Sequence, residues 1–338
     1  MATTDTPLDE ARVQEFVGRF AGDLGAALHQ TTVIIGDKLG LYAAMGDCVP
    51  VTPGELAERT GTEERYVREW LCAQAASGYV EYDAAAERFR LTPEQAACLA
   101  DRESPTFLPG AFYIAASLVK DEPALTERFR TGEGFGWHEH DGDLFCGTEL
   151  FFRPGYVANL VPSWLPALGV DDKLRAGGTV ADIGCGHGAS TIVMAQAFPN
   201  SRFVGFDLHE GSVEVARQAA ERAGVGDRVR FEVAGAKDFP GRDYDLVCVF
   251  DALHDMGDPV GAAAHIRSAL TADGTLLIVE PMSGESVLEN CNPIGKLFYS
   301  AGTFICVPHA RSQGGVHELG PQVPEATWGA LLGDAGFT

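Results

Sequence analysis

The chain has 338 residues, of which 46% are hydrophobic and 22% charged, and 48 acids against 25 bases give it a net charge of −23. The length suits two domains of ordinary globular composition. The acid excess argues against a nucleic-acid partner or an anionic membrane, since both call for clustered Lys and Arg. No stretch reaches the roughly 18 apolar residues that span a bilayer. The opening MATTDTPLDE is acidic and polar, unlike a secretory leader. Eight cysteines (Cys48, Cys72, Cys98, Cys146, Cys185, Cys248, Cys291 and Cys306) are scattered with no C-x-x-C pair, and several sit in apolar runs such as LVCVF. That usage predicts reduced thiols in a cytoplasmic protein.

Met1 to Pro7 predict a loose tail. Residues 9–30 place Val13, Phe16, Val17, Phe20, Leu24 and Leu28 at helical spacing, and a second helix is expected over 31–46. Thr52 then opens a short helix, with Pro53 at its first position and Glu55 three residues on, the pattern of a capping box. Gly61 turns the chain into a longer helix that Gly78 closes. YVEYD and RFRLT follow as two short strands. Helix, turn, helix and two-stranded wing make a winged-helix module. Its second helix mixes Glu63, Glu64 and Glu69 with Arg65 and Arg68, a poor face for phosphate.

From 93 to 176 the pattern is helical, broken by Pro109, Gly132, Gly134, Gly136 and Pro154. GEGFGWHEHDGDLF predicts a loop, and 156–168 a helix. His138 and His140 stand two apart, a spacing a metal site can use. We read this loop instead as a lid over a pocket, with Trp137, Phe145, Phe151 and Phe152 as aromatic wall, and expect no metal.

After Gly178 strands alternate with helices: TVADIG, RFVGFDL, VRFEVA, DLVCVFDAL and TLLIVEP are the strands. This predicts an α/β fold, a Rossmann-like, doubly wound, mostly parallel sheet, preceded by an all-α and winged-helix domain. Three regions are expected: 1–100 helical and winged-helix, 101–176 a helical linker or lid, and 177–338 the sheet domain. Ligands of such sheets bind at the C-terminal edge of the strands.

At that edge stands Asp182-Ile-Gly184-Cys-Gly186-His-Gly188. Its glycines permit a tight turn and close approach of a ligand, and the next helix offers free N–H groups. Asp182 can accept from a cationic or N–H-bearing ligand. Asp207 ends the next strand, where an acid accepts ribose hydroxyls. Ala236, Lys237, Asp238 and Phe239 follow the third strand, within reach of an adenine. The rival is a nicotinamide dinucleotide, because Gly184, Gly186 and Ala189 satisfy G-x-G-x-x-G/A. An acid two residues before the first glycine would sit poorly beside a pyrophosphate. After the fourth strand comes Asp251-Ala-Leu-His254-Asp255-Met256-Gly-Asp258-Pro. His254 is of the residue type that takes a proton near neutrality, and Asp255 could orient it. A histidine packed at a strand end is the plainer alternative, and His309 a rival base.

DIGCGHG, GFD, LHDMGD and IVEP, in this order, resemble the class I S-adenosylmethionine-dependent methyltransferases. The winged helix narrows the resemblance to the small-molecule O-methyltransferases. FFRPGY (151–156), DIGCGHGAST (182–191), LHDMGDP (253–259) and the segment 298–308 resemble a bacterial branch of them, over nearly the whole chain. The resemblance implies S-adenosyl-L-methionine as cofactor. It places Asp182, Gly184 and Gly186 at the methionine end, Asp207 on the ribose, Leu208, Ala236 and Lys237 around the adenine, and Phe250 in the same site. It makes His254 the general base, with Asp255 beside it and Glu280 as buttress. Residues 292–315 would pack over a small-molecule substrate, with Tyr299, Cys306, His309 and Trp137 as contacts. It implies a homodimer through the winged-helix module. Two departures stand out. The third acid of the plant-type enzymes falls near Gln322, and the family's last strand would follow AGFT338. Methylation at nitrogen or carbon, or a non-methylating reaction, would use the same fold. A ligand-sensing regulator with its winged helix on DNA is the non-enzyme alternative.

Overall fold

The computed structural model describes residues 8–337; the expected tail, Met1 to Pro7, and Thr338 lie outside the described residues. Contacts divide the chain into two units, one up to Ala116 and one from Ser117. The segment expected as a separate lid therefore falls mostly within the second unit.

In the first unit α1 runs unbroken over Glu10–Lys38, capped by Asp9. The expected interruption at 31 does not occur, because Thr31 and Thr32 only weaken a helix and no Pro intervenes. α2 (Pro53–Thr60) has the predicted capping box between Thr52 and Glu55, and Gly61 ends it at φ +66°. α3 (Glu64–Ala76), the antiparallel pair β1 (Glu81–Asp83) and β2 (Arg88–Arg90), and α4 (Pro93–Leu99) complete the winged helix. Val33, Tyr42, Met45, Leu56, Trp70 and Leu71 form its core. Within that core the Gln74 side chain accepts from the Tyr42 hydroxyl at 2.6 Å and donates to Thr32 Oγ1 at 2.9 Å, tying α1 to α3. On the outer face of α3, Arg65 pairs with Glu69 and Arg68 with Glu64, so both bases are already neutralised.

α5 (Gly110–Thr131) leads into the second unit. α6 (Asp143–Asn159) starts well before the predicted residue 156 and passes through a π-helical turn at 160–164 into α7 (Leu165–Ala167). Pro154 lies inside α6 without ending it. Then come α8 (Asp171–Gly177), β3 (Thr179–Ile183), α9 (Ala189–Ala197), β4 (Arg202–Asp207), α10 (Glu210–Arg222) and β5 (Val229–Val233). β6 (Tyr244–Phe250), α11 (Pro259–Ala269), β7 (Leu270–Val279), α12 (Pro293–Phe304), α13 (Cys306–Ser312) and α14 (Glu325–Asp334) complete it. Among the described residues the sheet has five strands in the order β5-β4-β3-β6-β7, every pair parallel. Strands covered on both faces read as nearly continuous apolar runs. Along β6, Leu246, Cys248 and Phe250 enter one core while Val247 and Val249 enter the other. The strand order reverses between β3 and β6, and the crevice at such a switch is where open α/β sheets bind ligands. The glycine turn leaves β3 and the His254 segment leaves β6, so both candidate motifs open onto that crevice.

Candidate active site

Gly184, Gly186 and Gly188 take φ values of +72°, +51° and +78°, a region other residues adopt at a cost. A Cβ on Gly184 would lie 2.9 Å from the Cβ of Ala252, and one on Gly188 would lie 2.4 Å from the Phe231 ring. At Gly186 a Cβ would meet nothing within 4 Å, so its face is open. Behind the turn, Asp182 is fully buried. Its Oδ2 accepts from Ser190 and Thr191 hydroxyls at 2.6 Å each, while Oδ1 has no partner. Burial pushes Asp182 up to about 6, against the pull of those hydroxyls. Asp207 accepts from the Gly186 N–H at 2.9 Å and the His209 N–H at 2.8 Å, and burial raises it too.

The other expected cofactor residues divide. Leu208 is 56% exposed, and Ala236 packs against the core under the sheet. Lys237 turns to Asp258 at 3.3 Å. Phe250 is buried between Tyr156 and Trp164, a packing position.

At the end of β6, a single 3₁₀ turn (Leu253–Asp255) carries the second motif. His254 is buried. Its Nδ1 donates to Glu280 Oε2, and Glu280 Oε1 accepts from the Leu253 N–H at 2.8 Å. Its Nε2 lies 3.0 Å from Asp255 Oδ1, at ion-pair distance but not aligned as a hydrogen bond. Burial alone would lower His254; the Asp255 carboxylate, with contacts to Cys306 and Glu280, outweighs it and holds the ring well above the usual histidine value. Burial works to raise Asp255, and the His254 charge reverses that. Trp137 donates from its indole to Asp255 Oδ2 at 3.2 Å, and Gln313 donates to the Asp255 carbonyl at 3.2 Å.

Trp137, Cys306 and His309, expected from the sequence as substrate contacts, gather around Asp255. His309, the rival base, has both ring nitrogens engaged. Its Nδ1 accepts from the Trp137 backbone N–H at 3.3 Å, its Nε2 meets Gln313 at 2.8 Å, and burial lowers it. Tyr299 does not join this group. It lines a groove of about 450 Å³ with Arg128, Thr303, Val307, Arg311 and Gln322. Gln322 is likewise away from His254, and the second carboxylate on the ring is Asp255. His140 is buried, with Nδ1 on Asp121 Oδ2 at 2.7 Å and Nε2 without a partner among the described residues.

Sequence reasoning passed over Asp251 and Tyr156. Asp251 adopts φ +51°, unusual for a residue other than glycine, and burial pushes it up to about 7. Tyr156 lies close to Asp251, Asp182 and Glu280 together, and burial with those charges holds its phenol protonated. Their signals were present, in the Asp251 that opens the β6 motif and the tyrosine closing FFRPGY. No local pattern marks a strained backbone or a shared neighbourhood.

A methyltransferase-domain family matches residues 174–314, and an Rv2258c-like winged HTH domain family matches 27–101. The chain carries a methyltransferase domain behind a winged-helix domain. The 27-O-demethylrifamycin SV methyltransferase of Amycolatopsis mediterranei is 35% identical over 131 residues, 36% of this chain and 48% of that protein. The O-demethylpuromycin-O-methyltransferase of Streptomyces alboniger is 30% identical over 259 residues, 72% of this chain and 66% of that protein. The chain thus spans about half of one relative and just under two thirds of the other. The solved human N-acetylserotonin methyltransferase, in complex with S-adenosylmethionine, superposes with a TM-score of 0.62 at 15% identity, over 100% of this chain and 94% of that one. That likeness shows the fold. The matched methyltransferase domain runs from α8 to α13, and holds the glycine turn, Asp207, His254 and Glu280. Trp137 and Tyr156 reach the same site from the segment before it.

Proposed function

We propose that this chain transfers a methyl group from S-adenosylmethionine to a small organic molecule, at a hydroxyl oxygen, with His254 as general base. The observation that carries the reading is His254 held by Glu280 and Asp255 at the same sheet edge as the glycine turn. The site suits the cofactor. Asp182 Oδ1 is a buried acceptor with no donor, fit for an ammonium. The open face of Gly186 admits close approach. Asp207 keeps free lone pairs beside the turn, fit for ribose hydroxyls.

When bound, the cofactor supplies a methyl group already activated on a positively charged sulfur. The chain must then position an acceptor, exclude water and move one proton. Glu280 fixes the proton of His254 on Nδ1 and stabilises the imidazolium that forms when Nε2 takes the acceptor's proton. An acceptor hydroxyl at Nε2 would take the place of the unaligned Asp255 contact, 3.0 Å away. Trp137, Cys306 and His309, from the segment read as a lid and from α13, give the acceptor pocket an aromatic and polar wall. The likeness to enzymes named for rifamycin and puromycin precursors supports an acceptor of the secondary-metabolite kind.

Calorimetric titration of S-adenosylmethionine and S-adenosylhomocysteine is the first test. We expect micromolar binding of both, lost in Asp207→Ala. Turnover on a panel of phenols and alcohols then tests the acceptor, and full activity in His254→Ala would remove the base. We further propose a homodimer through α1, supported by an exposed apolar face of Val13, Phe16, Val17, Phe20, Leu24 and Leu28. The eight unpaired cysteines support a cytoplasmic location.

A further inference from the structure

Five carboxylates converge at the strand ends, and four of them have donors. Asp182 holds two hydroxyls, Asp207 two backbone N–H groups, Glu280 the Leu253 N–H and His254, and Asp255 the Trp137 indole. The Asp251 carboxylate has none among the described residues. Its oxygen lies within 4.8 Å of the nearest reactive atoms of His254 and Glu280. Tyr156 packs on Phe250 at the end of β6, and the charges of Asp251, Asp182 and Glu280 add to burial in holding its phenol protonated. No lysine or arginine ion pair reaches any of the five among the described residues. Asp251 is also held at φ +51°, and strained positions of this kind gather at ligand and catalytic sites.

A largely buried carboxylate without a hydrogen-bond donor, set among other carboxylates, either takes up a proton or gains from a nearby cation. Of the other four acids, Asp182 already suits the ammonium end of the cofactor, and Glu280 and Asp255 are committed to His254. Asp251 stands on the turn that joins the β6 end to His254, where the methyl must be delivered. We propose that Asp251 faces the sulfonium charge and makes the site prefer the charged methyl donor over the neutral thioether product. This rests on the cofactor reading above. The preference would help the spent cofactor leave, because loss of the sulfur's charge removes its attraction to Asp251 and leaves that carboxylate only the partial charge of His254. In the free protein, the rise of Asp251 to about 7 fits a group waiting for such a charge.

The test is calorimetric titration of S-adenosylmethionine and S-adenosylhomocysteine into the full chain, wild type and Asp251→Asn. Asparagine tolerates positive φ and keeps the side-chain shape. We expect the dissociation constant for S-adenosylmethionine to rise about tenfold and that for S-adenosylhomocysteine by less than about twofold. Equal changes for both ligands, or no change for either, would overturn the assignment while leaving the cofactor site standing. Wild-type protein that binds neither ligand would overturn the cofactor reading and this inference together. If Asp251→Asn does not fold, Asp251→Gly, which suits the same φ, makes the same comparison and must show the same selective loss.

Discussion

His254 must be neutral to take a proton, yet its surroundings favour the charged ring. We therefore expect the rising limb of kcat/KM against pH to lie above the ordinary histidine value. Asp255→Asn removes the charge that raises the ring, so the limb should move to lower pH; a limb that stays put would separate Asp255 from the base. His254→Ala should cost roughly 10²–10⁴-fold in kcat. Asp251 gives a stability prediction with its own sign. Its folded value near 7 lies above the 3.8 of a free aspartate. The stability it contributes is therefore full below about 4 and is lost as pH rises through 7. Asp251→Asn should melt a few degrees above wild type at pH 8 and level with it near pH 4. Asp182, Asp207 and His254 stood out in the sequence because each lies at or just past a strand end, while Glu280 was named only through the family resemblance. Asp251's part was not, because a backbone angle and a missing donor are properties of the assembled edge. Nor was the place of Gln322, which lines a groove with Tyr299, since distance along the chain does not show which cavity a residue enters.

Among the elements, strands and their order of appearance were readable from apolar runs punctuated by glycine. Helix ends were readable where a capping residue stood, as at Thr52. Where no stop existed, as at 31 in α1, or where a proline sat inside a packed helix, as at Pro154 in α6, local preference gave way to packing. The glycine turn separates these two kinds of information. Gly186→Ala adds a methyl to open space and pays only for positive φ, so it should cost about 1 kcal/mol in stability while crowding the ligand face. Gly188→Ala drives a methyl into Phe231 as well, and should cost roughly 2–4 kcal/mol in a denaturant titration. Equal losses for the two would mean that the Phe231 ring yields freely.

For the molecule as a whole, the sequence marked α1 as an amphipathic helix but could not say what covers its apolar side. Phe16 is 64% exposed and Phe20 58%, on a helix of 29 residues. Such a stripe supports the homodimer proposed above. A Phe16→Glu, Phe20→Glu double variant should run as a monomer in light scattering where wild type runs as a dimer. A wild-type monomer would remove the dimer from the account.

The hydrogen-bonded pairing of β3 with β6 sets Asp182 opposite Cys248, and Ala252 then crowds Gly184 to within a methyl's width. On the proposed function, the grip on the methyl donor and the group that would take the proton are thus mounted on one rigid ruler. Trp137, Cys306 and His309, which would face the acceptor on that function, hang from segments outside the sheet. Divergence can rewrite those segments, and with them the molecule that is methylated, without recalibrating the spacing on which the chemistry depends.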